Sequence, residues 1–171
     1  MVPGAKILRG LKENGADWNI FTKNLGPNFS LSTVGVYHDN IKGNERGLNA
    51  VSVMTIDGLH LVHLGDLGQT ALTDEQLKAI GPVDILMIPV GGTFTIDAKE
   101  AIAIIEQLHP KVIIPMHYKT PYTKTLPLHP VTEFIEEAQA HHWPVETINR
   151  STLTLAPRNF PQKPTVYILT L

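Results

Sequence analysis

Apolar and polar side chains alternate through Phe29–His38 (FSLSTVGVYH), which predicts a strand. Ala50–Ile56 and Leu59–Leu64 repeat the pattern on either side of Asp57-Gly58, a dipeptide suited to a two-residue hairpin. The period then changes. Thr73 with Gln76, and Asp97 with Glu100, have capping-box spacing ahead of two helical runs. The first run stops at Gly81-Pro82 and the second, AKEAIAIIEQL, stops before Pro110. Between them Val83–Pro89 (VDILMIP) is almost continuously apolar, as a central parallel strand is, and Lys111–Pro115 predicts the next strand. A loop holding Pro121, Pro127 and Pro130 leads to a third helix over Val131–Ala140, with short strands expected at Ser151–Leu155 and Thr165–Leu171. Residues 1–30 are the least periodic, broken by Gly4, Gly10, Gly15, Gly26 and Pro27, and one short strand is expected there at Ala5–Arg9. An antiparallel start joined to βαβ units predicts an α/β fold: a layered sheet with helices outside.

Composition narrows the chemistry. A chain of 171 residues suits one domain, and 43% hydrophobic with 18% charged residues is the balance of a globular protein. The formal net charge of −2 leaves no broad basic field for nucleic acid. No apolar run approaches the ~18–20 residues that cross a bilayer, and Met1–Gly10 lacks a signal-peptide core, so a cytoplasmic protein away from membranes is expected. There is no cysteine, which excludes disulfides, zinc–thiolate sites, iron–sulfur clusters and a thiol nucleophile. A metal would have to be held by imidazole and carboxylate, and there are eight histidines to choose from.

Three side chains fall at the same kind of place, the end of a strand: His38, Asp66 and His117. The carboxyl ends of strands are where α/β sheets bind ligands, and two neutral imidazoles with a carboxylate suit zinc, manganese or iron. Each alone would serve equally as a cap or loop residue. Around them, His63 is either a hydrogen-bond partner of a ligand or a packed strand histidine. Asp39 either orients the His38 imidazole or is a solvated loop acid. Gly91 and Gly92 either let backbone approach a substrate or form a tight turn. Tyr118 either donates a hydrogen bond to a substrate or packs. No G-x-S-x-G is present, so a serine-hydrolase elbow has no support.

The segments VYHDN…RGLN, DGLHLVHLGDLG, DILMIPVGGTFTIDAKEA and KVIIPMHY resemble the later motifs of the metallo-β-lactamase superfamily. The nearest branch is the set of metal-dependent hydrolases that includes the ascorbate-phosphate lactonase-like proteins. The resemblance covers roughly residues 5–120 and implies an αββα sandwich with a dinuclear metal site along one edge. It implies His38 as a ligand of the first metal, Asp66 as the bridging aspartate that orients a metal-bound hydroxide, and His117 as a ligand of the second. The family's His-x-His-x-Asp-His signature has no counterpart here. The expectation is therefore the C-terminal two-thirds of the fold, one incomplete domain over residues 1–171. Such a chain would be a fragment, one half of a split enzyme or a reduced relative. The implied function is metal-dependent hydrolysis of a small-molecule ester, lactone or phosphoester. Zinc is the first choice of metal, and a homo-oligomer or a partner chain would supply the missing half. The alternative is a non-catalytic binding or assembly subunit.

Overall fold

The computed structural model describes residues 7–155 and 160–170. Among these described residues eight strands and three helices follow in the order β1 (Thr22–Gly26), β2 (Phe29–Tyr37), β3 (Leu48–Ile56), β4 (Leu59–His63), α1 (Asp74–Ile80), β5 (Ile85–Pro89), α2 (Ala98–Leu108), β6 (Val112–Met116), α3 (Val131–Ala140), β7 (Val145–Ile148) and β8 (Thr165–Leu169). All the strands join one mixed sheet in the order β1-β2-β3-β4-β5-β6-β8-β7. The pairs from β1 to β4 are antiparallel, and those from β4 through β5, β6, β8 and β7 are parallel.

Local chemistry accounts for most boundaries. Asp57 (φ 49°) and Gly58 (φ 81°) both turn left-handed, so the β3–β4 hairpin has the twist that two-residue turns require. Both capping boxes close: Thr73 accepts from the Gln76 N–H and Asp97 from the Glu100 N–H, while each helix residue's side chain accepts from the cap backbone. The βαβ half is thereby set, and it lays its helices on one face of the sheet.

On that face, one register row crosses five strands through Val53, Val62, Leu86, Ile113 and Val166. All five are buried with Ile102, Ile105 and Leu108 of α2 and Phe134 of α3. The neighbouring row runs through Leu31, Met54, Leu61 and Ile85 on the opposite face. Those four are only half-buried. Among the described residues the chain therefore builds one sheet and one helical layer, part of the expected sandwich.

Two expectations change. Ile7–Arg9 form no strand, while Ala5 and Lys6 lie outside the described residues. The segment that follows is held instead by Trp18, whose indole N–H donates to the Val36 (3.2 Å) and Asn49 (2.9 Å) carbonyls across the β2–β3 seam. Ser151–Leu155 is not a strand; the edge strand is Val145–Ile148, paired along β8. The other edge, β1, is exposed along its whole length, so it carries no hydrophobic alternation to read. The last strand matches the expectation through Leu169, and Leu171 lies outside the described residues. No helix among the described residues is long and apolar enough to cross a membrane.

Candidate metal centre

β2, β4, β5, β6 and β8 run in one direction, so the residues that follow them emerge at one end of the sheet. His38 follows β2, Asp66 lies three residues beyond β4, Gly91 and Gly92 follow β5, and His117 follows β6. Topology brings all these positions to one end. Among the described residues, however, no three His, Asp or Glu side chains converge as a ready metal cluster.

His38 is fixed by its backbone. Its N–H donates to the Gly47 carbonyl (3.1 Å), and its own carbonyl lies against Gly68, where any Cβ would overlap it. Its Nε2 is buried and has no hydrogen-bond partner. Asp39 is buried as well, and its carboxylate accepts from the backbone N–H groups of Ile41 (3.0 Å), Gly43 (2.7 Å), Glu45 (3.0 Å) and Arg46 (2.8 Å). Burial pushes this carboxyl up, but the four donors outweigh it and hold it at about 2, below the ordinary 3.8. Asp39 thus winds the loop behind His38, and these bonds go to backbone rather than to the imidazole. Arg46 then reaches from that loop to the Thr93 carbonyl (3.2 Å), tying it to the turn after β5.

His117 sits in the left-handed region (φ 53°), an uncommon place for a residue with a Cβ. Its carbonyl packs on Gly91, where a Cβ would overlap the oxygen, and its Nδ1 is buried without a partner. Gly91 therefore answers to close backbone approach. Gly92 (φ 59°) answers to a tight turn, accepting from the N–H of Phe94 (2.6 Å). Tyr118 packs half-buried against the core, and burial pushes its phenol above the ordinary 10.0.

Asp66 is exposed. Its N–H donates to Asn49 Oδ1 (3.3 Å), while Asn49 Nδ2 donates to the Leu64 carbonyl (2.8 Å), so one β3 side chain clamps the turn that carries the aspartate. His63 Nδ1 accepts from the Gly65 N–H (3.0 Å) in the same turn. Burial lowers its pKa against an upward pull from Asp66 and so favours the uncharged ring. Asn49 and Gly68 were not singled out by sequence reasoning, although both lie inside the quoted motifs (RGLN and HLGDLG) and neither is a titratable group.

A buried imidazole nitrogen with no partner costs about 1–3 kcal/mol. Two of them, on two histidines at one end of the sheet, are donor nitrogens of the kind a metal takes. In donor type, though not as a converged set of three, these nitrogens fit a divalent metal.

The fold and this edge define a class. Residues 6–117 match the family model described as a beta-lactamase superfamily domain, and the chain belongs to that superfamily. A metallo-β-lactamase superfamily protein of Thermotoga maritima, known by crystal structure, superposes with a TM-score of 0.68 at 37% identity, covering 82% of this chain and 64% of its own. Among curated relatives, a UPF0173 metal-dependent hydrolase of Carboxydothermus hydrogenoformans is 41% identical over 101 residues, which is 58% of this chain and 42% of the relative. Another of that name, from Thermococcus onnurineus, is 32% identical over 130 residues, 68% of this chain and 57% of the relative. The chain thus spans about half the length of these curated relatives.

Proposed function

We propose that this chain carries the C-terminal part of a metal-dependent hydrolase site for an ester, lactone or phosphoester. His38, Asp66 and His117 are its contribution to the ligand set. The observation that carries the reading is the pair of unpartnered buried nitrogens, His38 Nε2 and His117 Nδ1, at the end of the sheet where Asp66 also emerges. Zinc suits an imidazole–carboxylate set, and manganese or iron would accept the same donors. When bound, such an ion supplies Lewis acidity, lowering the pKa of water towards about 7 and polarising the bond to be broken.

The protein's own residues hold the rest in place. Gly91 seats the His117 carbonyl, Gly68 seats that of His38, and the Asn49 clamp fixes the turn bearing Asp66. On the same reading a second copy of this chain or a partner chain covers the open sheet face. The half-buried row of Leu31, Met54, Leu61 and Ile85 supports that association, since an apolar sheet face gains by being covered. The same face favours the second reading, a non-catalytic assembly subunit. Zinc binding separates the two: saturable binding lost in both His38→Ala and His117→Ala supports the hydrolase site, and its absence favours the assembly subunit.

A further inference from the structure

A groove of about 350 Å³ opens between the loop that follows His117, the start of α3 and the end of β8. Its apolar walls are Tyr118, Pro121, Tyr122, Val131, Ile168 and Leu169. The volume lies at the small-ligand end of binding cavities, about 300–1,000 Å³, and is too small for a folded segment of another chain. The loop is held in shape. The Lys119 N–H donates to the His129 carbonyl (2.9 Å), and the Thr120 N–H donates to Thr123 Oγ1 (2.8 Å). Tyr122 stands at the rim with 77% of its surface exposed, the most exposed large apolar side chain among the described residues. Lys119 also lines the groove, and no salt bridge among the described residues uses it. By contrast, the hollow beside His38 is about 190 Å³ and is lined mainly by polar side chains, among them Asn40, Arg46 and Glu100.

We propose that the groove receives an aromatic group bearing an anionic substituent, the non-reacting part of the substrate; this rests on the hydrolase reading of the site. Two tyrosine rings and a proline offer faces for offset stacking on an aryl ring, and Lys119 offers the counter-charge. Tyr118 directly follows His117, so the groove and the candidate metal centre share one loop, and on this proposal the reacting part of the substrate extends from the groove toward that centre. Remote binding of this kind orients the reacting bond without taking part in the chemistry.

The test uses 1-naphthoate, an aromatic anion that cannot be hydrolysed, titrated into the full chain and followed by amide ¹H–¹⁵N shifts. The expected result is saturable shifts confined to residues 118–122, 131 and 168–170, with cyclohexanecarboxylate binding more weakly. Tyr122→Ala, at an exposed position, should weaken naphthoate by about three- to tenfold, the worth of one aromatic contact. Val131→Trp should fill the groove and abolish saturation. If that variant fails to fold, Tyr122→Ala together with Lys119→Gln carries the test, both being expected to weaken binding. No saturation, shifts elsewhere, or unchanged affinity in Tyr122→Ala would overturn the proposal. The probe needs neither metal nor turnover, so naphthoate binding without zinc binding would defeat the hydrolase reading and leave the groove standing as a ligand site. Zinc binding without naphthoate binding would do the reverse.

Discussion

Replacing Gly91 and, separately, Gly92 by alanine asks whether the seat of His117 is a matter of space or of backbone angle. At Gly91 a Cβ would overlap the His117 carbonyl oxygen and come within 3.0 Å of the His117 carbonyl carbon and 2.9 Å of Tyr118 Cα. All three are backbone atoms of a segment already fixed by hydrogen bonds, so no flexible side chain can give way. The cost belongs at the upper end of overpacking, about 3 kcal/mol. At Gly92 the nearest atoms stand at 3.4 and 3.6 Å, which is ordinary contact, and the penalty is the left-handed φ of 59°. That penalty is about 1–2 kcal/mol, less about 0.4–1 kcal/mol gained by restricting the unfolded chain. For a chain of this size each kcal/mol moves Tm by about 2–4 °C, so Gly91→Ala should lower Tm by roughly 6–12 °C and Gly92→Ala by about 6 °C or less. Thermal and urea unfolding followed by circular dichroism read both. A Gly91→Ala variant as stable as Gly92→Ala would refute the steric reasoning.

Asp39→Asn should flatten the acid limb of stability. The folded pKa of about 2 lies below the ordinary 3.8, so the carboxylate's contribution is present above the latter and is lost as pH falls through the former. Urea midpoints at closely spaced pH values would show it, and an unchanged slope would contradict the role of the four loop donors. Gly35→Ala should expel Trp18, because the new Cβ would stand 2.7–2.9 Å from three indole ring atoms. Breaking the indole bonds and overpacking the seam should together cost about 1–3 kcal/mol and red-shift the Trp18 fluorescence in a Trp143→Phe background. Asn49→Ala should cost about 1–2 kcal/mol by freeing the Leu64 carbonyl, and should weaken zinc binding by loosening the Asp66 turn; unchanged affinity would show that the clamp does not serve the site.

Elements whose signal is local could be read from the chain. Thr73 with Gln76, Asp97 with Glu100, and Asp57-Gly58 each determine their geometry through neighbours a few residues away, and each holds. The apolar runs of β5 and β6 mark them as central strands, although only one face meets the helices and Ile85, Met87 and Ile114 stay half-buried. β1 and β7 escape because an edge strand has little core face to impose a pattern. His38, Asp66 and His117 are legible as strand-end positions, and the topology brings those strand ends to one end of the sheet. Their supports are not. The seats at Gly68 and Gly91, the Asn49 clamp and the left-handed His117 all depend on which backbone lies opposite, and that is settled only by tertiary packing. Asp39 shows the difference most clearly: beside a candidate ligand it suggests an orienting acid, yet its oxygens are taken by four N–H groups of its own loop.

Zinc binding to the purified chain, measured by equilibrium dialysis with metal analysis, tests the assignment of the sheet end most directly. Saturable zinc binding, weakened more than about tenfold in each of His38→Ala and His117→Ala while both variants keep a cooperative unfolding transition, is the predicted result. No saturable zinc binding, or binding that survives both substitutions, would contradict it.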